Sequence, residues 1–126
     1  MKRLLTYNSQ SICDHVSANY LTPDWLAKNL QPHEGGIVGL GVELSVQPPD
    51  VLLIDNIRQE DLMQVVITLR RNKALHNIRL IVLRSIYEIS PSLEASVDRV
   101  FGKPFDICDL AKEISKGSKA DEVAAS

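Results

Sequence analysis

Two short, unbroken aliphatic runs constrain this chain more than anything else in it: Val51-Leu52-Leu53-Ile54 and Leu80-Ile81-Val82-Leu83. A strand with one wet face alternates apolar and polar residues. A strand without alternation is buried on both faces, as in a parallel sheet covered by helices on each side. The opening segment Arg3-Leu4-Leu5-Thr6-Tyr7 reads the same way, and a weaker run over residues 97–101 ends at Gly102. Helical patterns lie between these runs. Leu62, Val65, Val66 and Leu69 recur at i, i+3, i+4 and i+7, with Arg70 and Arg71 suited to the negative end of that helix dipole. Ile107, Leu110, Ala111 and Ile114 repeat the pattern, with Asp106 placed to cap the helix and Gly117 just beyond it. Ser90-Pro91 reads as an N-cap followed by the first helical position. Strands alternating with helices predict an α/β fold with right-handed crossovers.

At 126 residues the chain is one domain's worth, and no run approaches the ~20 apolar residues of a membrane helix. The formal net charge of -2 gives no basic footprint for nucleic acid. The first residues turn polar at once, unlike a signal peptide, and the two cysteines make neither a disulfide framework nor a metal motif. A reduced, cytoplasmic setting without nucleic-acid or membrane contact is the expectation. No internal repeat is visible. The small, polar and charged stretch over residues 115–126 reads as a frayed end or the start of a linker.

Residues 9–46 support more than one reading. Residues 11–20 fit a helix with Ile12, Val16 and Tyr20 on one side. Thr22-Pro23-Asp24-Trp25-Leu26 carries the capping signal of a helix start. Val38, Leu40, Val42, Leu44 and Val46 alternate as a strand would, yet Ile37, Leu40, Gly41 and Leu44 also mark one helical face. Local rules leave both open.

Three blocks, in order and with fitting gaps, resemble a response-regulator receiver domain (CheY-like). Pro49-Asp50-Val51-Leu52-Leu53-Ile54-Asp55 looks like the third strand ending on the phosphoacceptor aspartate. Asn77-Ile78-Arg79-Leu80-Ile81-Val82-Leu83 looks like the fourth strand. The stretch over residues 93–105, ending in Phe101-Gly102-Lys103-Pro104-Phe105, looks like the end of the fourth helix, the fifth strand and the Lys-Pro turn. The resemblance spans residues 1–115, leaving 116–126 as a flexible tail. It implies a doubly wound (βα)5 flavodoxin-like fold with a five-stranded parallel sheet of order 2-1-3-4-5. Sites in such sheets lie at the carboxyl ends of strands, where Asp55 and Lys103 fall. The family register makes residues 37–46 the second helix and the stretch around Trp25 the second strand.

The same register exposes departures. Receivers carry two adjacent acids after the first strand to help hold Mg²⁺; those positions here are Asn8 and Ser9. The hydroxyl residue ending the fourth strand is replaced by Arg84, with Ser85 next, so that a one-residue shift would bring Ser85 into the role. Unshifted, Arg84 either pairs with Asp55 as a built-in replacement for the metal or points to solvent. The aromatic switch position is Val100, which lacks comparable two-state travel. The loop Asn56-Ile57-Arg58-Gln59 lacks the usual Pro and Gly. Together these imply an atypical receiver, a pseudo-receiver that keeps the fold and a vestigial site of Asp55, Lys103, Arg84, Ser85, Asn8 and Ser9. It would need no cofactor, would not be an enzyme, and would act in two-component signal transduction by binding a signalling protein or effector domain.

The family's contact face, helix four, strand five and helix five, carries Tyr87, Asp98, Arg99, Val100, Asp109 and Lys112, and would also serve a homodimer. Cys108 stands where dimerising members often have a basic residue. The alternative is a phosphoacceptor of unusual design, part of a phosphorelay. It would take a phosphoryl group from a histidine kinase onto Asp55, with Mg²⁺ on Asp55, Asn8, a backbone carbonyl and water. A small enzyme or ligand-binding domain using the same pocket is the third reading. His15, His33 and His76 lack metal spacing and read as surface or capping residues. Cys13 and Cys108 lie near helix starts on one sheet face, where a redox pair is one reading and inert, partly buried thiols the other. Met63 and Ile67 widen the apolar face of the third helix. Ile86, Tyr87 and Ile89 follow the fourth strand either as a partner surface or as a cluster tucked under the fourth helix.

Overall fold

A computed structural model describes residues 1–121. Five strands, β1 (Lys2–Tyr7), β2 (Trp25–Leu30), β3 (Val51–Asp55), β4 (Arg79–Ser85) and β5 (Arg99–Lys103), form one parallel sheet of order β2-β1-β3-β4-β5. Among the described residues, five helices alternate with them: α1 (Gln10–Asn19), α2 (Gly36–Val46), α3 (Gln59–Arg71), α4 (Pro91–Ser96) and α5 (Ile107–Ser115). This is the expected doubly wound architecture. None of the helices among the described residues is long and apolar enough to cross a membrane.

The unbroken aliphatic runs do what their pattern requires. In β3, Leu52 and Ile54 pack with α2 and α3, while Val51 and Leu53 pack with α1 and α5. In β4, Leu80 and Val82 join the first layer and Ile81 and Leu83 the second. Each run therefore serves two cores, and successive side chains alternate between them. The capping signals in the second half hold as well. The Ser90 side chain accepts from the Leu93 N–H at 3.2 Å, and the Asp106 carboxylate accepts from the Cys108 N–H at 2.8 Å.

The ambiguous segment resolves in the receiver register. The Thr22 hydroxyl donates to Asp24, and the Trp25 N–H bonds the Thr22 carbonyl at 3.1 Å. The residues that resemble a helix cap thus close a turn leading into β2. Residues 36–46 are helical, and Gly39 is required there: a Cβ would stand 2.4 Å from the Glu34 carbonyl oxygen. The helix is apolar on more than its inner face. Leu40 and Leu44 are buried, whereas Val38, Val42 and Val46 are 79%, 58% and 69% exposed. That outward stripe explains why alternation and helical periodicity both fit the sequence.

The first residues of the expected tail contact the sheet. Gly117, in the left-handed region at φ 74, accepts from Arg79 Nε at 2.9 Å through its carbonyl. The Lys119 N–H bonds the Asn77 carbonyl at 2.9 Å, and Ser118 and Asp121 cap one another. These contacts fasten residues 117–121 to the amino end of the sheet; the rest of the expected tail, residues 122–126, lies outside the described residues.

Candidate functional site

Strand alternation decides which side chains meet at the carboxyl end. Asp55 continues the Val51, Leu53 side of β3, and Lys103 continues the Phe101 side of β5, so both face the α1–α5 layer. Lys103 Nζ lies 2.5 Å from Asp55 Oδ1, the lysine 41% and the aspartate 13% exposed. The peptide joining Lys103 to Pro104 is cis. The expected pair at the strand ends is therefore present, and the lysine is the aspartate's direct counter-ion.

Two asparagines turn the chain out of the sheet beside this pair. Asn8 and Asn56, directly after β1 and β3, have φ 61 and 53. Asparagine tolerates this left-handed geometry better than most residues. The Asn8 side-chain amide donates to the Asp55 main-chain carbonyl at 3.3 Å. Ser9 is buried, its N–H donating to Asn29 Oδ1 at 3.0 Å, and its hydroxyl has no hydrogen-bond partner among the described residues. Asn29 Oδ1 also accepts from Thr6 Oγ1 at 2.6 Å, tying β1, β2 and the start of α1 together. At the same end, burial and then the Asp61 carboxylate push the Tyr7 phenol above its ordinary range.

Arg84 is a correction to both expectations for it. It neither pairs with Asp55 nor points into solvent. It follows Val82 by two residues and so faces the α3 layer, opposite the face of Asp55. Its guanidinium donates to Gln59 Oε1 at 3.4 Å and lies 3.6 Å from Glu88 Oε2, with the side chain 11% exposed. Ser85 takes the other side: it stands opposite Lys103 in the β4–β5 register. Its hydroxyl accepts from the Tyr87 N–H at 3.4 Å, capping the 3₁₀ turn Ile86–Glu88.

That turn presents Tyr87 at 94% exposure. Ile89 tucks in, its Cδ1 lying 3.0 Å from where a Cβ on Gly102 would stand, so glycine admits the turn against β5. Val100 is half-buried against the α2–α3 layer. Arg99 lies 4.9 Å from the Phe101 ring, and Asp109 and Lys112 are exposed on α5. Asp98 has a different occupation from the contact role expected of it. Its carboxylate accepts from the Leu80 N–H at 2.7 Å and pairs with Lys119 at 3.0 Å, fastening the starts of β4 and β5.

The remaining candidates separate in space or in exposure. Cys13 is buried, which pushes its thiol up, whereas Cys108 is exposed and meets the Tyr20 hydroxyl at 3.3 Å; both are free thiols. His15 and His76 are exposed and bonded to neighbouring asparagine and backbone groups, and His33 is exposed. Among the described residues no three His, Cys, Asp or Glu side chains converge as a metal cluster. A buried pair went unrecognised in the sequence: Arg79 and Glu113, 3.4 Å apart at the amino end of the sheet. The arginine inside an otherwise aliphatic strand was the available signal.

No protein-family model and no curated protein matches the chain. Solved structures do. The signal receiver domain of a signal transduction histidine kinase from Syntrophus aciditrophicus aligns with TM-score 0.69 at 20% identity, over 92% of this chain and 89% of that one. The N-terminal domain of the nisin resistance regulator NsrR, a lantibiotic response regulator, aligns with TM-score 0.67 at 17% identity, over 91% and 96%. The pilus assembly protein CpaE from Caulobacter crescentus aligns with TM-score 0.63 at 10% identity, over 91% and 98%. At these identities the likeness establishes the fold: this chain has the receiver fold.

Proposed function

We propose that this domain is an atypical receiver, a pseudo-receiver that acts in signal transduction by binding another protein, without Mg²⁺-dependent phosphoryl transfer. The observation that carries the reading is the donor set around Asp55. Mg²⁺ demands near-octahedral oxygen ligation and is usually held through carboxylates. Here one carboxylate already faces Lys103, and the neighbouring receiver-acid positions supply an amide committed to a backbone carbonyl and a buried hydroxyl. That set fits the metal poorly. The lysine ammonium neutralises Asp55 without it, and the domain is neither an enzyme nor dependent on a cofactor. A cytoplasmic setting agrees with this role.

Contact with a signalling protein or effector domain then relies on surface fixed in advance. Tyr87 is its anchor, because an exposed aromatic on a capped turn brings large contact area at little entropic cost. Arg99, Asp109 and Lys112 supply charge around it, tuning association rate more than affinity. The same face would serve a homodimer.

The chemistry is tested by incubating the protein with Mg²⁺ and acetyl phosphate and measuring its intact mass. No adduct is expected, and Asp55→Asn should leave signalling in cells intact. A phosphoryl adduct that disappears in Asp55→Asn would instead support the histidine-kinase phosphoacceptor reading. The contact is tested with a partner recovered by pull-down. Tyr87→Ala should weaken binding by ~1–3 kcal/mol with the fold intact. Unchanged affinity in Tyr87→Ala, together with loss on replacing the exposed α2 valines, would move the contact face to α2.

A further inference from the structure

The crossover helices do not cover the sheet equally. α3 has 13 residues and α4 only 6. At a rise of about 1.5 Å per residue, α4 spans roughly 9 Å. A helix that short leaves the amino end of β4 open on the α3 side. The gap is a cavity of about 390 Å³, within the size range of small-molecule sites. Its floor is apolar and buried, with Val66 and Leu69 from α3 and Leu80 from β4.

The rim is cationic. Among the described residues, Arg70, His76 and Lys119 line it, against one carboxylate, Asp98. Both oxygens of that carboxylate are engaged, one by the Leu80 N–H at 2.7 Å and the other by Lys119 at 3.0 Å. Arg70 has a guanidinium N–H on the Ser96 carbonyl at 3.4 Å. His76 Nε2 lies 2.8 Å from the Arg70 carbonyl; a carbonyl only accepts, so this nitrogen donates. Arginine has five N–H donors and lysine three, so both cations keep donors beyond these contacts.

We propose that this groove binds a small amphipathic anion, its apolar body on the Val66–Leu69–Leu80 floor and its carboxylate on Arg70 and Lys119. Charge and apolar surface are separated in the way such a molecule requires. The groove lies at the amino ends of the strands, away from Asp55, and arises from the shortness of α4. Its occupancy is therefore independent of the chemistry at the carboxyl end.

Decanoate, below its micelle concentration, is the probe, with amide NMR as the readout. Saturable shifts should appear at Val66, Leu69, Leu80 and Val97 while Asp55 and Lys103 stay unmoved. Decanol and decyltrimethylammonium, which share the chain but not the charge, should bind about tenfold more weakly or worse, as loss of a charge-assisted hydrogen bond requires. Arg70→Gln should weaken decanoate by a similar factor and leave decanol unchanged. Ala95→Trp, at an exposed position on the rim, should abolish the shifts with the thermal midpoint preserved. The proposal is overturned by an absence of saturable shifts, by equal binding of decanol, or by shifts concentrated on the exposed valines of α2.

Discussion

Two ion pairs stand at opposite ends of one face of this sheet. At the carboxyl end, Lys103 meets Asp55 with the lysine 41% exposed. At the amino end, Arg79 meets Glu113 with side chains 5% and 9% exposed, and Glu113 also takes Lys116 at 2.9 Å. The second pair is sealed between the first residue of β4 and the last turns of α5, and the Gly117 carbonyl takes Arg79 Nε. Water can compensate Lys103 when Asp55 loses its charge. The sealed pair is shut away from water, so removing its carboxylate costs more than a change at the open end. The sealed pair ties the last helix to the sheet, whereas the lysine of the open pair stays in contact with solvent.

The largest expected effect tests the sealed end. Glu113→Gln should destabilise the domain by about 3 kcal/mol, because it removes a buried carboxylate that faces both Arg79 and Lys116. Urea melts monitored by circular dichroism measure this. If the single variant melts like the parent, the contrast between the two ends fails. The smaller effect tests the open end. Asp55→Asn should change stability by about 1 kcal/mol or less in the same melts, as befits a pair in which water can replace a partner. A loss at Asp55 as large as that at Glu113 would mean both pairs are structural.

Much of the fold is legible in the residues because local and global signals agree there. β3 and β4 announce themselves as aliphatic runs, α3 and α5 as 3.6-residue periodicities, and Ser90 and Asp106 as caps. β2 is not legible from local rules, because Thr22 and Asp24 use capping chemistry to close a turn. The site is legible at Asp55 and Lys103, whose strand-end positions follow from the sheet. Arg84 shows where linear reading stops. One residue along a strand reverses the face, and only the settled register sends Arg84 to Gln59 and Ser85 to the side of Lys103. Asp98 and Arg79 were similarly hidden: their partners, Lys119 and Glu113, come from the end of the chain, and no short-range pattern links them.

On the proposed reading Lys103 neutralises Asp55 without Mg²⁺. This is tested by a titration of Mg²⁺ into the millimolar range, followed by beryllofluoride, with amide NMR shifts read at Asp55, Asn8 and Lys103. No saturable shift is expected at these residues with either addition. Saturable shifts clustered on all three, enhanced by beryllofluoride, would contradict that reading and make Asp55 a working phosphoacceptor.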